Sequence, residues 1–362
     1  MSSYKERADR VTALLPERNL DLLLVSNLVN VRYMCGFEGT NALVVVGASE
    51  RVFVTDFRYF ERARSEVPDY DVVRGKQDLL ESVNAVVKDR LTGSVRLGFD
   101  DAHLTVRAHA RLRELLPSDV ELVAAGGIVE ELRAVKDEQE LSAMRKAGAI
   151  ADQLYKWLIE EHGLAGHTEI AVARALERQA QDLGAAAVAF PPIVAAAENG
   201  ALPHAMPRDL EIPRGSLVVV DLGCQVDGYH SDCTRTFATG PVGDEETKVY
   251  ELVRSAQAAA AAAVRDGAVC ESVDAAARDG IERVGRGEQF GHGTGHGVGL
   301  EVHELPRLAP KVDKRLAAGN TVTVEPGVYV PGKFGVRIED LVVVEDGGSE
   351  SLTSLPHELV TV

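Results

Sequence analysis

Short apolar runs alternate with amphipathic segments over the first 125 or so residues, and this alternation predicts an α/β domain. Strands that alternate with helices pack as layers around a core of their own. The predicted strands are residues 20–25, 41–46, 51–55, 94–99 and 120–124. The predicted helices are residues 4–18, 57–66, 77–90 and 103–116.

A long charged segment with helical periodicity follows, over residues 128–161. Its apolar residues from Leu132 to Leu158 fall near one stripe, which predicts an amphipathic helix. Asp137 has the character of an N-cap, and Glu140 stands three residues later as its capping-box partner. We place a domain boundary near residue 130, dividing the chain into domains 1–130 and 131–362.

The second domain is predicted to be α+β. Its helices are predicted at residues 168–183, 244–265 and 270–285. Between and after them come valine-rich strands, read from the segments LVVVDLG (217–223), TVTVEPG (321–327) and VRIEDLVVV (336–344). Helices kept apart from mostly antiparallel strands are typical of α+β domains.

Charge and composition exclude several classes of protein. The formal net charge is −17, and phosphate binding needs a basic surface, so neither nucleic acid nor an anionic membrane is expected as a partner. No apolar run has the length of a membrane span, and the N-terminal segment lacks an apolar signal core. The four cysteines form no C-x-x-C pair. These features predict a reduced, cytoplasmic protein.

Two aspartates mark a candidate cation site. Asp221 ends an apolar strand, and Asp232 follows after a segment that contains Gly223 and Gly228, which fits a hairpin that returns Asp232 to Asp221. Two carboxylates at that distance repel unless a cation lies between them. The alternative is a surface hairpin with two solvated acids. Asp227 is expected to face water at the tip of the turn.

Two glutamates follow β-like runs in the same manner. Glu325 comes after TVTV, and Glu339 comes after VRI. An acid in this position is expected to point inward from a buried strand. An unpaired inward carboxylate costs several kcal/mol, so it needs a cation or a raised pKa.

Histidines complete the pattern. His296 lies in the glycine-rich segment GHGTGHGVG between His292 and His303, and His204 lies in ENGALPHAMP. Two neighbouring metal ions need several oxygen ligands and a nitrogen that distinguishes one ion. A catalytic dinuclear centre is therefore predicted, with the ligand set Asp221, Asp232, His296, Glu325 and Glu339.

These motifs, in this order and spacing, resemble the metallopeptidase family that contains methionine aminopeptidase, aminopeptidase P, prolidase and the metal-free creatinase. The resemblance implies a pita-bread catalytic domain behind a creatinase-type N-terminal domain. It implies that Asp221 binds one ion, that Asp232 and Glu339 bridge both, and that His296 and Glu325 complete the other. Glu325 would also accept the proton of the attacking water.

The resemblance assigns further residues. His303 would hydrogen-bond the tetrahedral intermediate, and His204 would lie near the scissile amide and the leaving nitrogen. His292 and Tyr329 would line the substrate pocket. Arg337 would meet either the distal carboxylate of the substrate or the surroundings of a bridging ligand.

The segment Arg337-Ile338-Glu339-Asp340 and the N-terminal segments NVRYMCGFEGTNALVVV and TDFRYFERA resemble proline peptidases. We therefore expect a peptide with proline at its second position as the substrate. An Xaa-Pro aminopeptidase is the preferred prediction and an Xaa-Pro dipeptidase the alternative. A non-catalytic peptide-binding relative and a creatinase-like hydrolase are weaker alternatives. The predicted cofactors are two divalent ions, Mn²⁺ with Co²⁺ or Zn²⁺ as alternatives, and the predicted assembly is a homodimer.

Overall fold

A computed structural model describes residues 3–90 and 94–362. The chain divides into two compact units, Met1–Arg133 and Ala134–Val362. The candidate site residues all belong to the second unit.

The first unit is a sheet flanked by helices, with the strand order β4-β3-β2-β1-β5-β6. Its strands are β1 (Leu22–Val25), β2 (Ala42–Gly47), β3 (Arg51–Thr55), β4 (Asp71–Arg74), β5 (Val95–Phe99) and β6 (Val120–Ala124). Its helices are α1 (Ser3–Leu14), α2 (Leu28–Cys35), α3 (Phe60–Glu66), α4 (Leu80–Arg90), α5 (Val106–Leu115) and α6 (Ile128–Arg133).

The sheet is mixed: β1 pairs with β2 antiparallel and with β5 parallel. All four residues of β1 are buried, as expected for a central strand covered on both faces. Two elements were not predicted, namely α2 and β4. β4 lies at the end of the strand order among the described residues and has no buried residue, so its sequence carries little apolar signal.

The helix-periodic segment 128–161 is not one continuous helix, because α6 ends at Arg133. The second unit begins instead with an extended segment, in which Val135 bridges Asn320 and Lys136 donates its N–H to Gly319 O at 2.9 Å. A new helix, α7 (Glu138–Trp157), then starts at Asp137. The predicted capping box is present, with Asp137 accepting from the backbone of Glu140 and Glu140 returning the bond. The strength of this cap explains why the helix restarts here.

The second unit pairs helices with antiparallel strands. Its other helices are α8 (Glu169–Asp182), α9 (Asp244–Ala263) and α10 (Cys270–Arg283). Its first strands are β7 (Ala187–Val188), β8 (Ile193–Ala196), β9 (Leu217–Leu222), β10 (Cys224–Val226), β11 (Tyr229–His230) and β12 (Cys233–Ala238). Its later strands are β13 (Gly295–Gly297), β14 (Glu304–Leu308), β15 (Thr321–Val324), β16 (Gly327–Val330), β17 (Phe334–Arg337), β18 (Asp340–Val344) and β19 (Ser349–Ser351).

Two hydrophobic clusters fill this unit, one joining α7 and α8 to β8 and β9, the other joining α9 and α10 to β15–β18. The segment 336–344, predicted as one strand, is two: β17 pairs with β16, whereas β18 joins the sheet of β15. Ile338 and Glu339 lie between them. The predicted α+β class is confirmed, and the chain changes sheet where a candidate ligand stands.

Candidate metal centre

The two aspartates lie on the predicted hairpin. β9 pairs with β12 so that Thr234 is opposite Asp221, and Asp232 stands immediately before β12. Asp221 is 8% exposed and Asp232 is 4% exposed, so a surface hairpin with solvated acids is excluded. Asp227 is exposed at the turn, in the left-handed region with φ of 51°.

Glu339 is held against this hairpin. Its N–H donates to Thr234 O at 3.1 Å, and the Thr234 hydroxyl donates to Glu339 Oε2 at 2.6 Å. The residue is 1% exposed. The change of sheet between β17 and β18 therefore directs the Glu339 carboxylate at the two aspartates.

Glu325 and His296 are joined by one hydroxyl. Thr323 Oγ1 accepts the N–H of His296 at 3.0 Å and donates to Glu325 Oε1 at 3.3 Å. The N–H of Glu325 donates to Thr294 O at 2.7 Å. Both residues thus lie where β13 and β15 run side by side.

The glycines beside His296 allow this close approach. A Cβ on Gly295 would lie 1.9 Å from Thr323 O, and a Cβ on Gly297 would lie 2.1 Å from Leu305 O. Neither space can hold a methyl group, so the strand can carry His296 into the site only with glycine on each side.

The His296 ring presents a free nitrogen to the acids. Its Nδ1 lies 3.1 Å from Gly297 O, an atom that only accepts, so Nδ1 carries the proton. Its Nε2 lies 3.3 Å from Glu325 Oε1 and 3.7 Å from Asp232 Oδ2. Ligand atoms of Asp232, His296 and Glu339 lie within 4.8 Å of one another. This is the spacing of donors around a metal ion.

Asp221 supplies an independent test of that fit. Its Oδ2 accepts from Arg337 Nη2 at 2.6 Å. Its Oδ1 is buried and has no hydrogen-bond partner in the described part of the chain. Buried carboxylate oxygens are seldom left in this state, and a cation would satisfy the missing interaction. The residues present therefore fit a divalent metal.

The titration behaviour agrees with a cation site. Burial, followed by repulsion from Glu339, raises the pKa of Asp232 well above its ordinary value. Burial and the charge of Glu325 do the same to the pKa of Glu339, and burial raises the pKa of Glu325 to about 8. Burial, with His303 nearby, lowers the pKa of His296 to about 4. Without a cation the acids retain protons, and the imidazole is the neutral form that binds metals.

A chain of hydrogen bonds runs from Arg337 along one side of the site. Arg337 Nη1 donates to Pro203 O at 3.1 Å and to the Tyr329 hydroxyl at 2.8 Å. The Tyr329 hydroxyl lies 3.0 Å from His292 Nε2, while His292 Nδ1 donates to Gly293 O at 2.8 Å. Arg337 is 3% exposed. Its guanidinium thus bonds the protein, including the candidate ligand Asp221, instead of facing open space.

The remaining histidines border the acid cluster. His303 is exposed, and its ring centre lies 4.2 Å from that of His296. His204 is also exposed. Partial burial, followed by the charge of His204, lowers the pKa of His303, and His204 also acts on His292. The structure therefore brings all the predicted site residues of the second unit into one neighbourhood.

Some site residues were not predicted. Thr234 and Thr323 orient three of the candidate ligands, and their only signal is an inward position on a strand that adjoins a candidate ligand. Cys233 is a buried thiol that donates to Glu339 O at 3.3 Å, and burial raises its pKa well above the ordinary value. Burial likewise raises the pKa of Cys224 to about 12. Protonated thiols are poor metal ligands.

Comparison with known proteins defines the class. Residues 142–346 match the model of metallopeptidase family M24, and residues 7–135 match the creatinase/prolidase N-terminal domain. The chain belongs to metallopeptidase family M24. It is therefore a metallopeptidase, an enzyme that acts on peptides with divalent metal.

Several relatives match over nearly the full length. An Xaa-Pro dipeptidase from Bacillus anthracis is 36% identical, with a TM-score of 0.94 over 99% of this chain and 100% of that one. An Xaa-Pro dipeptidase from Pyrococcus furiosus is 33% identical over 98% of this chain and 100% of its own. An X-Pro aminopeptidase from Thermotoga maritima is 32% identical, with a TM-score of 0.89 over 98% and 99% of the two chains. No helix within the described ranges is long and apolar enough to cross a bilayer.

Proposed function

We propose that this chain is an Xaa-Pro dipeptidase that uses two divalent ions. The observation that supports metal-dependent hydrolysis is the buried acid cluster beside one neutral imidazole, in which Asp221 Oδ1 lacks a partner among the described residues. The specificity for proline is inferred from the full-length relatives, which are proline peptidases by name.

The comparisons favour the alternative of the two sequence-based predictions. The preferred prediction is an aminopeptidase. However, two sequence relatives and one solved structure that match nearly the whole chain are named Xaa-Pro dipeptidase. The catalytic residues predicted from the sequence are compatible with either activity, so the ligand set could not distinguish them. Because the Thermotoga relative is named X-Pro aminopeptidase, cleavage of a longer peptide is the competing outcome of the test.

The ligands of the ions would be Asp221, Asp232, His296, Glu325 and Glu339. The ions supply electrophilic activation of water and of the scissile carbonyl. Glu325 would receive the proton of the attacking water, because its carboxylate belongs to the acid cluster and Oε1 lies 3.3 Å from His296 Nε2.

The histidines would contact the substrate during hydrolysis of the Xaa-Pro bond. Water oxygen bonds to the scissile carbonyl carbon, the bond from that carbon to the proline nitrogen breaks, and the nitrogen gains a proton. His303 would donate a hydrogen bond to the tetrahedral intermediate, and His204 would stand by the leaving nitrogen. His292 and Tyr329 would line the proline pocket.

Arg337 acts on the protein rather than on the substrate in this proposal. Its bonds to Asp221, Tyr329 and Pro203 use most of its donors, and a buried guanidinium so engaged has little left for a peptide carboxylate. Mn²⁺ suits the oxygen-rich ligand set, with Co²⁺ or Zn²⁺ as alternatives. The homodimer and the cytoplasmic location stay predictions.

The test is hydrolysis of Ala-Pro and of Ala-Pro-Ala-Ala by protein loaded with Mn²⁺. We expect the dipeptide to be cleaved and the longer peptide to be left intact. Ala-Ala serves as the control for proline specificity, and chelated protein serves as the control for the metal. Release of alanine from the longer peptide at a comparable rate would establish an aminopeptidase instead.

A further inference from the structure

A buried glutamate outside the ligand set gathers an unusual number of donors. Glu169 is the first residue of α8, and its side chain is 1% exposed. Oε1 accepts the N–H of Ala196 at 2.8 Å, and Oε2 accepts the N–H of Arg208 at 2.7 Å. Asn199 Nδ2 also donates to Oε2, at 2.8 Å. Such a set of donors fixes the position of the carboxylate.

The two backbone donors stand at the two ends of one loop, and Asn199 lies within it. Ala196 is the last residue of β8, and Arg208 lies where the chain returns to α8. The Arg208 guanidinium adds two bonds to Glu169, at 3.2 Å each. One carboxylate therefore ties both ends of the loop 197–207, and this loop carries His204.

The loop 197–207 contains a strained residue, so it requires stabilising contacts. Ala197 adopts a left-handed φ of 49°, a conformation that costs free energy for a residue with a side chain and persists only when its surroundings enforce it. Further along, Pro203 O accepts from Arg337, the residue that also bonds Asp221. Arg337 thus connects Pro203, the residue before His204, to the candidate ligand Asp221. Glu169 holds the two ends of the same loop.

We propose that Glu169 is a positioning residue, which clamps the loop 197–207 and thereby holds His204 at the catalytic site. This inference rests on the proposed function of His204. Glu169 touches neither substrate nor metal ligand in this arrangement and acts only through the loop.

The first arm tests the clamp without using activity. Hydrogen exchange of the peptide 196–208 is measured by mass spectrometry in the wild type, Glu169→Gln and Glu198→Gln. Glu169→Gln turns an acceptor oxygen into a donor group that faces N–H groups, so we expect exchange roughly tenfold faster than in the wild type. Glu198 is the matched control, because it also bonds Arg208 but its side chain is 66% exposed. Exchange unchanged in Glu169→Gln would overturn the clamp.

The second arm links the clamp to His204 by a double-mutant cycle on Ala-Pro. We expect Glu169→Gln to lower kcat/KM about tenfold, with metal content unchanged, and to cost nothing further in a His204→Ala background. A full additional loss in that background would overturn the link to His204. If His204→Ala retains wild-type activity, the proposed role of His204 fails, and the exchange result still decides the clamp.

A milder variant keeps the proposal testable if Glu169→Gln does not fold. Asn199→Ala removes an amide that donates to Glu169 Oε2 at 2.8 Å and to Met206 O at 3.1 Å, and it leaves both backbone bonds to Glu169 in place. We expect a smaller rise in exchange over the same peptide, and a smaller loss of kcat/KM that also vanishes in the His204→Ala background. If Glu169→Gln does not fold, absence of both effects in Asn199→Ala overturns the proposal.

Discussion

Glu339 and Asp340 are neighbours in the chain and both are buried, but their pKa values shift in opposite directions. The carboxylate of Glu339 accepts from Thr234, and burial raises its pKa well above the ordinary value. Burial would raise the pKa of Asp340 as well, but hydrogen bonds and positive charge outweigh it and hold the pKa below the ordinary value. The donors to Asp340 are Arg235 at 2.7 Å, His357 at 2.6 Å, Gln257 at 2.8 Å and Thr353 at 3.1 Å.

The difference shows how to recognise a metal ligand among buried acids. A buried carboxylate must meet positive charge or donors, and Asp340 finds them within the protein. Glu339, like Asp232, stands among other acids and beside a neutral imidazole. The partner that these acids require is a cation from outside the chain.

The largest effect is expected from a change within the acid cluster. Asp232→Ala should abolish metal binding and turnover together, with a loss on the order of 10³-fold or more, because a proposed bridging oxygen ligand is removed. Metal content by mass spectrometry and hydrolysis of Ala-Pro check this. The control is Asp227→Ala, which removes an exposed acid from the tip of the same hairpin. Two bound metals and full rate in Asp232→Ala would refute the ligand assignment.

The next effect falls on stability. Asp340→Asn should destabilise the protein by about 3–5 kcal/mol, because Arg235 keeps a buried charge without its partner. Urea unfolding of the metal-free protein measures this. The matched variant is Glu339→Gln, which replaces a carboxyl group that retains its proton in the metal-free protein by a neutral amide of similar shape. We expect it to leave the metal-free protein at least as stable as the wild type. A large destabilisation by Glu339→Gln would break the contrast between the two acids.

Sequence reasoning selected Glu339 as a candidate ligand, but it could not show how the charge of Asp340 is compensated. The donors to Asp340 come from α9, from β12 and from residues 353–357, and no local pattern records that meeting. The same limit explains the continuous strand predicted over 336–344, because apolar, β-branched residues stand on both sides of Glu339 and Asp340, although the chain changes sheet there. Local signals were sufficient for the cap at Asp137 and for the hairpin that joins Asp221 to Asp232.

Glu169 shows the limit most clearly. An acid at the first position of a helix is common, since it interacts favourably with the helix dipole, and nothing in the sequence sets this one apart. Only the return of the chain from 196 to 208 reveals its second role. Ligands that close a strand could be predicted, whereas residues that act by joining distant segments could not.

A smaller effect on turnover is expected at the rim of the cluster. His303→Ala should lower kcat for Ala-Pro about a hundredfold while both metals are retained, because His303 is exposed and lies beside the ligand His296 rather than among the acids. Metal content and steady-state kinetics on one preparation measure both quantities. Loss of metal in this variant would move His303 into the ligand set.

The last expected effect is a pH dependence of stability that bound metal should remove. The folded-state pKa of Glu325 is raised from 4.5 to about 8, so unfolding releases a proton between these values and stability falls as pH rises through that window. Asp232 and Glu339 act in the same direction. His296, with its pKa lowered from 6.5 to about 4, acts oppositely and only below about pH 6.5.

Chemical denaturation of the metal-free protein should therefore show stability falling between pH 6.5 and 8, by about 1.4 kcal/mol per pH unit for each proton released. Saturating Mn²⁺ should flatten or reverse this slope, because the bound cation replaces the protons. A metal-free protein whose stability is constant over this window would show that the acids of the cluster are already compensated, as Asp340 is.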